Sequence, residues 1–104
     1  MELILKNDDV IHVLQSIKEA NGLYTEAKEH EIKTFALSQA PVCTLVMCCD
    51  SRAHSTSFTA NPENNFFIVR NIGNQYILSQ GCIEYGVRVL NTQLLIFSGH
   101  TGCG

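Results

Sequence analysis

An α/β fold, a parallel sheet with flanking helices, is the class this sequence predicts. Three short apolar runs, 42–47, 66–69 and 94–97, are separated by helical or mixed stretches. Each run is apolar throughout instead of alternating, which is the pattern of a strand buried on both faces. Strands joined by such crossovers pair in parallel, with right-handed connections. Ligands of such sheets gather beyond the carboxyl ends of the strands, at a switch point. A chain of 104 residues has room for one modest core. One domain is therefore expected over 1–104, with helices over about 8–37 and an α/β core over about 42–104.

The elements follow in order. Asn7, Asp8 and Asp9 offer N-caps to a helix whose apolar face is Val10, Ile11, Val13, Leu14 and Ile17. Asn21-Gly22 is expected to end it. Thr25 is read as the cap of a second helix through about Leu37, and Pro41 blocks any continuation. Val42 to Met47 is the first strand. Ala53 to Asn65 is polar and mixed, a loop with a short helix. Phe66 to Val69 is the second strand. Ile77 to Leu90 is patterned as a helix despite Gly81 and Gly86, and Leu94 to Phe97 is the third strand.

Bulk properties exclude several function classes. A composition of 45% hydrophobic and 16% charged residues reads as globular. A net charge of −3 gives no basis for nucleic acid or an anionic membrane as partner. Glu2 stands where a signal peptide wants basic residues, and no run approaches a membrane span. The five cysteines, an odd count, then favour reduced thiols and metal ligation over a disulfide framework, and a cytoplasmic location.

Two motifs carry chemistry. Cys48-Cys49-Asp50-Ser51-Arg52 ends the first strand, and His100-Thr101-Gly102-Cys103 follows the third. Cys48, His100 and Cys103 together supply two thiolates and an imidazole, a donor set that suits tetrahedral zinc with the fourth position open. Asp50 and Arg52 stand two and four residues after Cys48. A purely structural zinc would want a fourth protein ligand and has no need of that pair.

The spacing resembles that of the β-class carbonic anhydrases. The resemblance extends through Phe67-Ile68-Val69-Arg70-Asn71-Ile72-Gly73-Asn74 and Ile83-Glu84-Tyr85-Gly86-Val87, in the family's order, from about Gln39 to the last residue. It implies a zinc enzyme for reversible hydration of carbon dioxide to bicarbonate, with one Zn2+ per chain, in a homodimer or higher homo-oligomer. Zinc would supply Lewis acidity at its open position, although two thiolates neutralise its formal charge and weaken that effect. Asp50 would orient the nucleophile, and Arg52 would hold Asp50 ionised by a charge-assisted pair. In some members the aspartate instead swings onto the zinc, and both states are open to this sequence. Gln39, Phe67 and Tyr85 match substrate-binding positions, Gln39 reaching across a dimer interface and the aromatics lining a narrow apolar pocket. Gly104 could contact bicarbonate through its backbone N–H. The strand order, with the first strand between the other two, is also taken from the family.

Other residues have ordinary readings. Cys43, Cys49 and Cys82 are expected to pack, and His12, His30 and His54 to lie at the surface. Arg70 and Asn71 are expected to bond loop backbone beside the site, and Glu84 to pair with Arg70 or Arg88.

The resemblance has departures. Ala53-His54-Ser55-Thr56 replaces a proline-containing stretch, and the family continues well past the His-x-x-Cys motif. The chain is accordingly read as carboxyl-terminally truncated, with its third strand an uncovered sheet edge. Two alternatives stay open: a carbon disulfide or carbonyl sulfide hydrolase of the same family, and an inactive zinc-binding fragment or subunit.

Overall fold

The computed structural model describes residues 7–104. The chain divides into two compact units, Met1–Ser38 and Gln39–Gly104. In the first, α1 spans Asn7–Ala27 and α2 spans Glu29–Phe35. Asn21-Gly22 does not end α1, contrary to expectation. A glycine inside a helix costs only about 1 kcal/mol relative to alanine. Thr25 is not a cap either: its hydroxyl donates to the Asn21 carbonyl one turn back, at 2.8 Å. The break falls instead at Lys28. Every residue of α1 from Asp8 to Ala27 is exposed, including its apolar stripe, with Leu14 and Ile17 both at 60%.

The second unit is a three-stranded parallel sheet in the order β2-β1-β3. The strands are β1 (Cys43–Cys48), β2 (Phe66–Asn71) and β3 (Leu94–Ser98). This is the predicted class, and the central place of β1 agrees with the family order. Cys43 pairs with Phe66 on one side and Leu94 on the other, and the register runs unbroken to Cys48 opposite Asn71.

Every residue of β1 is buried, including the polar Thr44, whose hydroxyl is 2.8 Å from Thr92 Oγ1. Because side chains alternate along a strand, Cys43, Leu45 and Met47 pack on one face with Ala53 and Phe66. Val46 packs on the other with Val69, Ile83 and Phe67. β3 is different: Leu94 to Phe97 are all exposed, from 37 to 55%.

The segment read as one helix over 77–90 is three short pieces. A 3-10 turn at Ile77–Ser79 leads into α3 (Gln80–Glu84), then a π-helical turn at Tyr85–Val89. The wide turn lets Gly86 lie against Thr44 and Phe67, where no side chain would fit. The loop of 53–65 carries a single 3-10 turn, Ser55–Ser57.

Candidate metal centre

β1 delivers Cys48 to the carboxyl end of the sheet, on the Val46 face, and the segment after β3 returns His100 and Cys103 to the same end. Their donor atoms all lie within 4.8 Å of one another. The Cys48 and Cys103 sulfurs are 3.9 Å apart. His100 Nδ1 sits 2.9 Å from the Thr101 carbonyl. With the proton on Nδ1 donated there, Nε2 keeps its lone pair. That Nε2 is buried and has no hydrogen-bond partner. A buried ring nitrogen without a partner is costly unless something else meets its lone pair. The nitrogen and two sulfurs fit zinc in donor type and number.

Asp50 and Arg52 form a two-pronged pair beside this cluster. Arg52 Nε donates to Asp50 Oδ1 at 2.9 Å, and Nη2 to Oδ2 at 2.6 Å. The Arg52 amide adds a third bond to Oδ1 at 2.8 Å. These bonds hold the Asp50 carboxyl well below the usual carboxylate range. Asp50 Oδ2 is 3.8 Å from His100 Nε2. The carboxylate is therefore committed to Arg52 in this conformation.

Arg70 reaches from β2 to the loop that carries these groups. Its guanidinium donates to the carbonyls of Cys48 (2.8 and 3.1 Å), Asp50 (3.0 Å) and Ala53 (2.6 Å). Asn71, which is buried, holds the next loop through Gln75 and Ser79. Both residues bond loop backbone, as expected. Of the two partners expected for Glu84, Arg70 is taken up by loop carbonyls. Glu84 accepts from Tyr76 and Gln80, which lower its carboxyl first, and Arg88 acts on it through its charge, as the last of the causes that lower it.

Electrostatics within the cluster are unequal. The Cys48 thiol is lowered to about 6, first by the Gly73 amide, then by His100 and the Asp50 amide. Cys103 is raised, chiefly because Cys48 lies beside it. One negative charge thus settles on Cys48 before Cys103. The same sulfur is the main reason that His100 is raised.

The structure brings together Cys48, His100, Cys103, Asp50 and Arg52. Gly104 follows directly and is exposed. It does not bring Gln39, Phe67 or Tyr85 to them. Phe67 is in register with Thr44, four residues before Cys48, or roughly 13 Å along the strand at about 3.3 Å per residue. Phe67 and Tyr85 pair with each other, ring centres 5.8 Å apart. Gln39 precedes β1 and is exposed. Cys43 is buried as expected, but Cys49 and Cys82 are exposed rather than packed. Cys49 follows β1, and Cys82 lies on the outward side of α3.

Sequence reasoning missed two backbone groups. The Gly102 carbonyl accepts from Arg52 at 3.2 Å, and the Gly73 amide donates to Cys48 Sγ at 3.4 Å. Both glycines have positive φ, +69° and +77°. A glycine between motif residues was the available signal.

The carbonic anhydrase family profile matches residues 43–104. A carbonic anhydrase of Pseudomonas aeruginosa is 32% identical over 85 residues, 75% of this chain and 39% of that protein. Carbonic anhydrase 2 of Mycobacterium tuberculosis is 27% identical over 110 residues, 96% of this chain and 52% of that protein. Tetrameric β-carbonic anhydrases of Sordaria macrospora include a solved structure that superposes with a TM-score of 0.74. It is 27% identical and covers 94% of this chain and 52% of its own. The chain spans about half the length of the proteins it matches, or less. Among the described residues no helix is long and apolar enough to cross a membrane. With the profile matched over residues 43–104, a relative 32% identical over 75% of the chain and the fold shared with solved members, the chain belongs to the β-class carbonic anhydrase family.

Proposed function

We propose that this chain holds one Zn2+ ion on Cys48, His100 and Cys103 and serves the reversible hydration of carbon dioxide to bicarbonate and a proton. The observation that carries this reading is the partnerless, buried His100 Nε2 among two sulfurs, with a carboxylate 3.8 Å away. When bound, zinc would supply Lewis acidity to a water at its open position.

The chain's own residues account for the rest. Asp50, kept ionised by Arg52, is an acceptor beside the donor cluster and orients a nucleophile toward carbon dioxide. Arg52 fixes the carboxylate and at the same time binds the Gly102 carbonyl in the segment bearing Cys103. Gly104 offers its backbone N–H to bicarbonate.

Gln39, Phe67 and Tyr85 lie at the other end of the sheet from Cys48, so in this reading they serve the centre of a second copy. That role, the uncovered apolar stripe of α1 and the tetrameric Sordaria proteins support a homodimer or higher homo-oligomer. A cytoplasmic location fits a chain that relies on reduced thiols.

The test combines elemental analysis with stopped-flow hydration of carbon dioxide on the purified chain. About one zinc per chain is expected, lost on His100→Ala and kept on Cys43→Ser. Absence of zinc after expression in zinc-replete medium would overturn the reading. Retained zinc with no hydration, in wild type and after added zinc, would leave a metal-binding subunit rather than an enzyme. Sulfide release from carbon disulfide would redirect the substrate assignment.

A further inference from the structure

Two thiolates leave a zinc ion little net charge, and a carboxylate nearby does nothing to restore it. The loop after β2 shows what can. Asn71 ends β2 opposite Cys48 and is only 9% exposed. Its Oδ1 accepts from the Gln75 amide at 2.6 Å, and its Nδ2 donates to the Gln75 carbonyl at 2.7 Å and to Ser79 Oγ at 2.9 Å. Its backbone carbonyl accepts from the amides of Cys49 (3.0 Å) and Asn74 (3.3 Å). The loop is therefore pinned at both ends by one residue, through its backbone carbonyl and its side chain. Between those pins the backbone curls back through Gly73 (φ +77°) and Asn74 (φ +46°). The curl turns the Gly73 N–H onto Cys48 Sγ, at 3.4 Å. Sulfur is a weak acceptor unless it is a thiolate, so this donor is matched to a charged sulfur.

We propose that Gly73, through its backbone N–H, is a positioning residue for the metal centre: it hydrogen-bonds the Cys48 thiolate and withdraws electron density that Cys48 would otherwise give to the metal. The thiolate keeps its place as a ligand, but its donor strength falls and the metal stays the stronger Lewis acid. Outer partners of ligands tune metals in this way. A side chain at residue 73 is disfavoured by the positive φ, so glycine here is a requirement of the amide's direction. The inference rests on the metal reading proposed above.

The test removes the Gly73 N–H; it also weakens the Ile72 carbonyl, which accepts from Gln75 Nε2 at 2.8 Å, and a control ester at Asn74 accounts for such loop effects. Cys49 and Cys82 allow the full chain to be assembled by ligation from 1–48, 49–81 and 82–104, the middle piece carrying an ester in place of the amide between Ile72 and Gly73. An all-amide chain made the same way is the reference. A third chain carries the ester at Asn74, which deletes a loop hydrogen bond but leaves the sulfur alone. Each is loaded with cobalt(II). A shift of the sulfur-to-cobalt charge-transfer band to longer wavelength in the Gly73 ester, absent from the Asn74 ester, is expected. No shift, or equal shifts in both, would overturn the proposal as a mere effect of loop order. Failure of the all-amide chain to take up cobalt would overturn the metal reading itself, and this inference with it.

If the Gly73 ester does not fold, the unmodified chain loaded with cadmium-113 decides. Scalar coupling between the metal and the Gly73 amide proton through the hydrogen bond is expected. Its absence overturns the proposal.

Discussion

Arg52 Nη2 lies 3.2 Å from the Gly102 carbonyl, so one side chain joins the loop after β1 to the segment after β3. Cys48 directly precedes the first piece, and His100 and Cys103 lie on the second. The same nitrogen also grips Asp50 Oδ2. Arg52 thus ties the carboxylate to the segment that bears Cys103.

Arg52→Lys keeps the charge but loses the planar fork that serves both partners. Zinc affinity should fall by about 10–100-fold, the usual effect of losing an outer partner. Competition with a chromophoric chelator measures it. An affinity equal to wild type would show that the Gly102 bond is idle.

Arg70→Met should destabilise the chain by about 2 kcal/mol or more, because carbonyls of Cys48, Asp50 and Ala53 lose their donors at once. Urea denaturation monitored by circular dichroism checks this. Zinc content should fall as well, since Cys48 and Asp50 sit on the released backbone.

Gly86→Ala should cost about 1–3 kcal/mol as an overpacked site. The new Cβ would clash with Thr44 Oγ1 and come within 2.8 Å of Phe67 Cδ1. Gly81→Ala, where the added carbon meets nothing within 4 Å, should be neutral or mildly stabilising by propensity. The two melting curves, taken side by side, separate crowding from helix propensity.

In chelator-treated protein Cys48 should alkylate with a midpoint near pH 6, where its thiol is lowered to about 6. Cys103 should lag, its thiol being raised, and Cys43 should lag too, raised by burial. A folded-state pKa below the unfolded one gives stability that is present above the unfolded value. That stability is lost as pH falls through about 6. Mass spectrometry of iodoacetamide adducts across pH 5–9 resolves the cysteines. Equal midpoints for Cys48 and Cys103 would refute the asymmetry.

The sheet was legible because its strands are continuous apolar runs, and the observed strands differ from the expected ones only near their ends. β2 runs on to Arg70 and Asn71, which polarity had disguised as loop. Both are polar because they build the neighbouring loops. The boundary between the helices was misread at Asn21-Gly22, since nothing local distinguishes a tolerated glycine from a stop. The π turn was invisible because it answers a tertiary demand, the approach of residue 86 to Thr44. The metal ligands and the Asp50–Arg52 pair were legible as spaced side chains. What sequence hid was backbone: the Gly102 oxygen and the Gly73 amide bear no letter of their own.

The donors are drawn from strands of opposite character. Cys48 closes the most buried strand, whereas His100 and Cys103 follow the strand whose apolar residues are 37–55% exposed. Without metal, amide hydrogens of β3 should exchange through local opening long before those of β1. A metal that binds only when both strands are in place adds its binding free energy to the closed form. Exchange from β3 would then slow toward that of β1, so that occupancy of the centre and protection of the sheet's outer strand report one equilibrium.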